Sequence, residues 1–254
     1  MNRTIGRFLG FAALTSLCFG FTADGLTAEQ ILKKAEAKLT SSTMIVDLDI
    51  TIKRPKWTKN MSLKTWSKGS GYALAYVTGP DKDKGTVYLK SGNDVYNYLP
   101  KIKKTVKLPA TLLSQNWMGT DMSTDDLVKL TKLTSDYSAT LTGSETVSGR
   151  ECHVITLTPK DEADVLWGKL VICIDKKDYI QMKTVFYDED LEAVNTMVSS
   201  DVKTLGGKQM ASKMVMTPVG KKGQSTTVVY KSIKFNSPIG NDFFTKANMP
   251  NVKP

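Results

Sequence analysis

An alternation of apolar and polar residues with a period of two, interrupted only by short turns, runs along most of this chain and restricts its fold more than any other feature. Met44, Val46, Leu48, Ile50 and Ile52 form one half-buried strand; Met61, Leu63 and Thr65, alternating with Ser62, Lys64 and Trp66, form the next. Further strands are expected over 72–78, 86–90, 94–99 and 105–108. A second series follows over 137–147, 151–158, 168–175, 179–187, 192–204, 208–218 and 226–235. The turns are short and chemically suited to sharp reversal: Ser91-Gly92-Asn93, Ser148-Gly149, 176–178, Gly206-Gly207 and 220–223. Strands joined this tightly must be antiparallel neighbours, because a parallel return needs a crossover of about a dozen residues. The fold class is mainly β, a curved antiparallel meander whose many strands twist and curl toward closure.

Helices are few. Thr27-Ala28-Glu29-Gln30 reads as a capping box, and Ile31, Leu32, Ala35 and Leu39 recur at helical spacing behind it. A second patch, 110–117, holds Leu112, Leu113 and Trp117. A third, 124–133, places Leu127, Leu130 and Leu133 behind Asp125 and Asp126, which suit a helix N-terminus. The loop between these two, 118–123, carries Gly119 and two methionines, Met118 and Met122, that are expected to be exposed.

The front end indicates export. Arg3 and Arg7 accompany an apolar run over 5–17, shorter than the roughly 20 residues a membrane span needs and suited to a secretory signal. Ala23-Asp24-Gly25 offers small residues for cleavage, so 1–25 is read as a signal peptide and 26–254 as one domain. Cys18 is a candidate for lipidation that would anchor the chain in the envelope. Thr15 and Leu17 stand where such a site carries leucine and a small residue, which favours ordinary cleavage.

The net charge of +10 comes from lysines spread along the strands, with few arginines among them. A nucleic-acid partner calls for a concentrated patch, commonly arginine-rich, so none is expected. Solvated strand faces and edges account for the lysines, with a basic rim near anionic lipid headgroups as the functional alternative.

Catalytic signals are weak. The single histidine, His153, lies in a strand, and no Gly-x-Ser-x-Gly elbow accompanies it. Asp81-x-Asp83-x-Gly85 lacks the remaining ligands of a calcium loop. No metal and no cofactor are expected, and a hydrolase using His153 stays open as an alternative, as does a non-catalytic envelope scaffold. Cys152 and Cys173 occupy consecutive strands and are read either as a disulfide or as two small buried hydrophobes. The 11 methionines include Met182, Met197, Met210, Met214 and Met216. Flexible thioethers suit an irregular core or a surface that accepts varied apolar ligands. Trp57, Trp66 and the Trp117-Met118 pair fit packing or a lipid-facing rim.

Four stretches resemble the periplasmic LolA-like family of outer-membrane lipoprotein-sorting proteins. They are the helix over 27–39, Val95-Tyr96-Asn97-Tyr98-Leu99-Pro100, the run Ser114-Gln115-Asn116-Trp117-Met118-Gly119-Thr120-Asp121-Met122-Ser123, and the tail Phe235-Asn236-Ser237-Pro238 with Asp242-Phe243-Phe244. The resemblance implies an unclosed β-barrel with a lid of short helices over an apolar cavity, carrying lipoprotein acyl chains or phospholipids through the periplasm. It implies exchange with an inner-membrane lipoprotein-releasing transporter and an outer-membrane acceptor. Arg54 takes the position of an arginine that holds the lid. Trp57, Trp66, Leu112, Leu113, Trp117, Met118, Met182 and Met214 are the expected lipid contacts.

Overall fold

The computed structural model describes residues 25–124, 133–163 and 165–254. The expected signal peptide apart from Gly25, with Cys18, and the interior of the helix expected over 124–133 lie outside the described residues.

Helix α1 (Ala28–Leu39) begins on the expected capping box: the Gln30 N–H donates to Thr27 Oγ1 at 3.2 Å, and the Thr27 N–H donates to Gln30 Oε1 at 2.8 Å. The first strands are β1 (Thr43–Arg54), β2 (Trp57–Lys68), β3 (Tyr72–Gly79), β4 (Val87–Ser91), β5 (Asp94–Leu99) and β6 (Lys104–Lys107). After α2 (Ala110–Leu113) and α3 (Leu133–Asp136) come β7 (Tyr137–Val147), β8 (Arg150–Pro159), β9 (Lys169–Asp175) and β10 (Gln181–Tyr187). The last three are β11 (Ala193–Leu205), β12 (Lys208–Pro218) and β13 (Ser225–Phe235). All belong to one antiparallel sheet in the order β6-β5-β4-β3-β2-β1-β13-β12-β11-β10-β9-β8-β7. The expected mainly β, unclosed meander is thus the observed architecture, because β6 and β7 form two separate edges.

The order contains one junction that local reading misses. The chain makes two meanders, and the first strand pairs with the last, from Met44↔Phe235 to Lys53↔Ser225. The turns follow the sequence closely. At the β11–β12 reversal Gly206 and Gly207 both have positive φ, and a Cβ on Gly206 would lie 2.7 Å from the Ile233 carbonyl oxygen, so only glycine fits.

Register defines the two faces. Leu141, Ile155, Ile172, Thr184, Met197, Met216, Thr226 and Ile52 stand opposite one another in a single row across the sheet, hence on one face. This inner face carries two clusters. One is covered by α1, whose Ile31 and Leu32 are buried against Ile155, Leu157, Leu170 and Ile172. Each such side chain contributes about 1.5–3 kcal/mol of burial. The other, around Val46, Leu48, Ile50, Met61 and Val228, is covered by Trp117. The outer face of β1–β5 is closed by the C-terminal tail, which seats Phe244, Met249 and Val252 against Trp66, Leu74, Val87 and Leu89. Lys68 Nζ ties that tail down by donating to the Ile239 carbonyl at 3.0 Å and to Asn241 Oδ1 at 2.7 Å.

The helix expected over 110–117 stops at Leu113. Its continuation is prevented because the Trp117 N–H donates to the Met122 carbonyl at 2.8 Å and Asn116 bridges to Ser123, which folds 115–124 back on itself.

Phe244 is fully buried beneath the tail, and Phe244→Ala is expected to lower stability by about 3–5 kcal/mol, read from the midpoint of chemical denaturation at unchanged m.

Candidate functional site

Because β6 and β7 lie at opposite edges, the chain between them has to travel from one edge of the sheet to the other. The described part of that connection reaches the inner face at Trp117, which is 2% exposed and meets Tyr88 edge-on with ring centroids 5.5 Å apart. Met118 and Met122 pack against the same cluster, beside the partly buried Met44, Met214, Tyr230 and Phe235. Burial raises the Tyr230 hydroxyl pKa, as expected for a phenol deep among apolar groups.

The loop 117–124 is shaped from within and fixed from below. Met118 and Gly119 both have positive φ, and the Met118 conformation (φ 47°) is an unfavourable one for a residue with a side chain. Thr120 is buried, and its Oγ1 lies 2.7 Å from the Trp117 carbonyl oxygen and accepts from the Met122 N–H at 3.2 Å. Asp121 descends to the sheet. Arg54 Nη1 and Nη2 donate to Asp121 Oδ2 and Oδ1 at 3.1 and 2.9 Å, a bidentate pair with both side chains largely buried. Arg54 also donates to the carbonyls of Lys53 (2.8 Å), Ser225 (3.2 Å) and Gly119 (2.7 Å). Thr226 Oγ1 accepts from the Asp121 N–H at 2.9 Å and donates to Asp121 Oδ2 at 2.7 Å. Arg54 ends β1 and Ser225 and Thr226 begin β13, so the latch closes on the end of the β1–β13 junction.

The structure brings some of the expected residues together and separates others. Arg54, Trp117, Met118 and Met214 meet at the covered inner face. Trp57 is 49% exposed at its rim, with its ring centroid 5.9 Å from the Arg54 guanidinium, in a cleft of about 550 Å³ shared with Lys59, Pro80 and Lys82. Trp66 faces the other way: it pairs with Ile45 on the outer face and stacks at 5.3 Å against Phe243 of the tail. The alternation of Met61, Leu63 and Thr65 with Ser62, Lys64 and Trp66 already sets Trp66 on the face opposite the Trp117 cluster. Met182 is fully buried in a distinct cluster with Val147, Cys152, Cys173 and Ile180. Leu112 is exposed and Leu113 half-buried, and neither is part of the Trp117 cluster. The expectation that Met118 and Met122 are exposed is corrected: both are half-buried against the Trp117 cluster, and Thr120, Asp121 and Ser123 beside them are buried. Asp121 and Thr226 join the site without a sequence expectation, although a single acidic residue in an otherwise uncharged loop is a signal for a buried cationic partner.

The disulfide reading is corrected. Both cysteines are free and buried, with Cys152 opposite Asp175 and Cys173 opposite Val154, two pairs apart along the ladder and so diagonal neighbours on one face. Burial, with Asp175 adding to it, pushes the Cys152 thiol up to about 11. Burial and a hydrogen bond to Glu145 push Cys173 up to about 12. His153 is buried on β8, opposite Ser144 and Ile174. Among the described residues no three His, Cys, Asp or Glu side chains converge as metal ligands, and no helix is long and apolar enough to cross a membrane.

The unclosed antiparallel sheet is a fold shared with solved structures. The chain is similar to a DUF1329 family protein from Desulfovibrio piger, at 20% identity and a TM-score of 0.79 over 87% of this chain and 97% of that one. It is similar to an outer membrane lipoprotein-sorting protein domain from Vibrio parahaemolyticus, at 21% identity and a TM-score of 0.76 over 88% and 98%. A LolA superfamily protein from Nitrosomonas europaea gives 21% and 0.74 over 87% and 99%. At these identities the likeness establishes a shared fold. Residues 69–251 match the model of a family described as uncharacterized-protein-like, and the chain belongs to that family. No curated protein matches it.

Two measurements probe this arrangement. Asp121→Ala leaves the Arg54 guanidinium buried without its carboxylate and is expected to cost about 3–5 kcal/mol of local stability, seen as faster amide exchange over 115–124. The thiols are protonated at pH 8 and should react with Ellman's reagent only after denaturant exposes them. From about pH 9 to about 11 the unfolded chain loses thiol protons that the folded chain keeps. The unfolded state then binds fewer protons, so this contribution to stability is present below that window and falls as pH rises through it.

Proposed function

We propose that the protein is a periplasmic carrier that takes the acyl chains of lipids, with lipoproteins the favoured cargo, into the space between its inner sheet face and its lid, and moves them toward the outer membrane. The observation that supports this most is the latched loop: an apolar plug, Trp117 with Met118 and Met122, held over an apolar face by a polar anchor, Arg54 with Asp121 and Thr226. An interior meant only for packing has no use for a removable cover that spends a bidentate ion pair on its attachment.

Magnitudes favour exchange of plug for cargo. A buried CH₂ contributes about 0.8 kcal/mol, so about ten of them gain about 8 kcal/mol. Breaking a buried ion pair costs about 3–5 kcal/mol. A long acyl chain therefore outweighs the latch, whereas a short one does not, and lid movement suffices for uptake and release without covalent chemistry. Such a carrier receives its cargo from an inner-membrane lipoprotein-releasing transporter and surrenders it to an outer-membrane acceptor. The half-buried Met118, Met122 and Met214 suit chains of varied shape. The lysines near the β6 edge suit approach to anionic headgroups.

Mass spectrometry of gently purified mature protein is expected to find acyl lipids, and Arg54→Leu is expected to speed uptake of an acyl-chain fluorophore several-fold. Lipid-free protein that takes up no such probe would overturn the reading.

A further inference from the structure

Three turns at one end of the sheet each present an exposed apolar side chain beside lysines. The β1–β2 turn carries Lys56 and Trp57, the β5–β6 turn Lys101, Ile102, Lys103 and Lys104, and the β12–β13 turn Val219, Lys221 and Lys222. Trp57 is 49% exposed, Ile102 58% and Val219 49%. Pairing places these turns side by side. Arg54 faces Trp57 and Lys53 faces Ser225, and a Cβ on Gly223 would lie 4.0 Å from Pro55. On the other flank β3 ends opposite Ser62 of β2, β4 begins at Val87 opposite Tyr98, and a Cβ on Gly85 would lie 3.4 Å from Pro100. No acidic residue lies in 54–59, 99–104 or 218–225. The six lysines of these turns have no ion-pair partner among the described residues. A single exposed apolar residue is ordinary on a protein surface. Three on neighbouring acid-free turns, each beside free ammonium groups, make a surface suited to the headgroup layer of a bilayer, with apolar tips in the interface and lysines on the phosphates. The same end continues to the β10–β11 turn, where Leu191 is exposed among Asp188, Glu189, Asp190 and Glu192. That acidic turn confines contact with an anionic surface to the half of the end that holds the latch.

We infer that the β1–β2, β5–β6 and β12–β13 turns together dock the protein on a bilayer of anionic lipid, with Trp57, Ile102 and Val219 entering the interface. The inference deepens the carrier function proposed above and rests on it for the purpose of the contact. The latch lies directly behind this end: Arg54 precedes the β1–β2 turn, and a Cβ on Gly119 would lie 3.9 Å from the Trp57 ring. Docking therefore sets the edge of the lid against the headgroups, where an acyl chain passes between bilayer and inner face with little exposure to water. Each lysine brought to such a surface strengthens binding about fivefold. The apolar tips supply the part of the contact that salt does not screen.

The test is flotation of the full mature protein with vesicles of phosphatidylcholine alone and of equal parts phosphatidylcholine and phosphatidylglycerol. Binding is expected to the mixed vesicles and to be about tenfold weaker or less to the neutral ones. Lys101→Ala combined with Lys222→Ala is expected to weaken binding about tenfold or more. Lys203→Ala combined with Lys234→Ala, two exposed lysines at the other end of the sheet, is expected to change it by no more than about twofold. Equal losses in the two pairs would mean diffuse attraction of a basic chain and overturn the assignment, as would failure to bind mixed vesicles. A second measurement uses Ile102→Cys carrying an environment-sensitive fluorophore, which the buried Cys152 and Cys173 of the folded chain do not take up. Its emission is expected to shift to the blue on mixed vesicles, whereas the same label on Lys203→Cys stays unchanged. A label on Ile102→Cys that stays in water while the protein is bound overturns the docking surface. Uptake of an acyl-chain fluorophore without vesicles separates the two readings. Uptake without docking overturns the surface and leaves the carrier; docking without uptake upholds the surface and overturns the carrier alone.

Discussion

The pairing of β1 with β13 organises everything else in this molecule. It joins two meanders edge to edge along a register running from Met44↔Phe235 to Lys53↔Ser225. Polar neighbours reinforce it on the outer side, where Ser232 Oγ donates to Asp47 Oδ2 at 2.6 Å and Lys231 pairs with Asp49 at 3.1 Å. Apolar pairs such as Val46 with Ile233 and Ile50 with Val228 reinforce it on the inner side. With the first and last strands in the middle, β6 and β7 fall at the two rims, and the chain linking them has to cross the sheet. A cover over the apolar face is thus a consequence of strand order, needing no separate domain to supply it. Contacts so distant in sequence make such a sheet slow to assemble compared with one built from local hairpins.

The same junction supplies the anchor for that cover. Arg54 is the last residue of β1, and its guanidinium gathers the carbonyls of Lys53 and Ser225 with the Asp121 carboxylate, while Thr226 completes the set from β13. Both Nη nitrogens have defined acceptors, which is what makes a charge tolerable at this depth. Around it the plug is held by apolar contact and by a strained turn at Met118. The loop therefore combines a strong point attachment with a weakly directional remainder, a combination that permits movement once the attachment is released.

Much of this was legible in the sequence, for identifiable reasons. Strand positions follow from period-two alternation, and reversals such as Gly206-Gly207 from backbone chemistry that few residues satisfy. Helix α1 was set by Thr27 and Gln30. Arg54 was expected from the resemblance, and its partner Asp121 lies in the run 114–123 that helps to carry it, yet nothing local connects residues so far apart in the chain. The β1–β13 pairing was hidden for the same reason. Trp66 and Met182 sit in surroundings other than those expected. Trp66 alternates onto the face of β2 shared with Ser62, Lys64 and Lys68, where the distant tail covers it, and Met182 joins a separate cluster; neither setting is local in sequence. Cys152 and Cys173 stand two pairs apart, an offset that is invisible without the register.

Leaving the sheet open gives the molecule two unpaired rims, and a body with two complementary valences polymerises without limit when one rim of each copy joins the opposite rim of the next. Every link in such a filament consumes one β6 and one β7, so disabling either kind suffices to stop growth. The β6 rim is the disabled one. It is four residues long, wholly exposed, and carries lysine at both ends, with Lys101 and Lys103 just before it. A β7 rim meeting its own kind ends in a closed pair and goes no further. With the two rims so unequal, guarding one side of the uncapped sheet is enough to stop rim-to-rim growth.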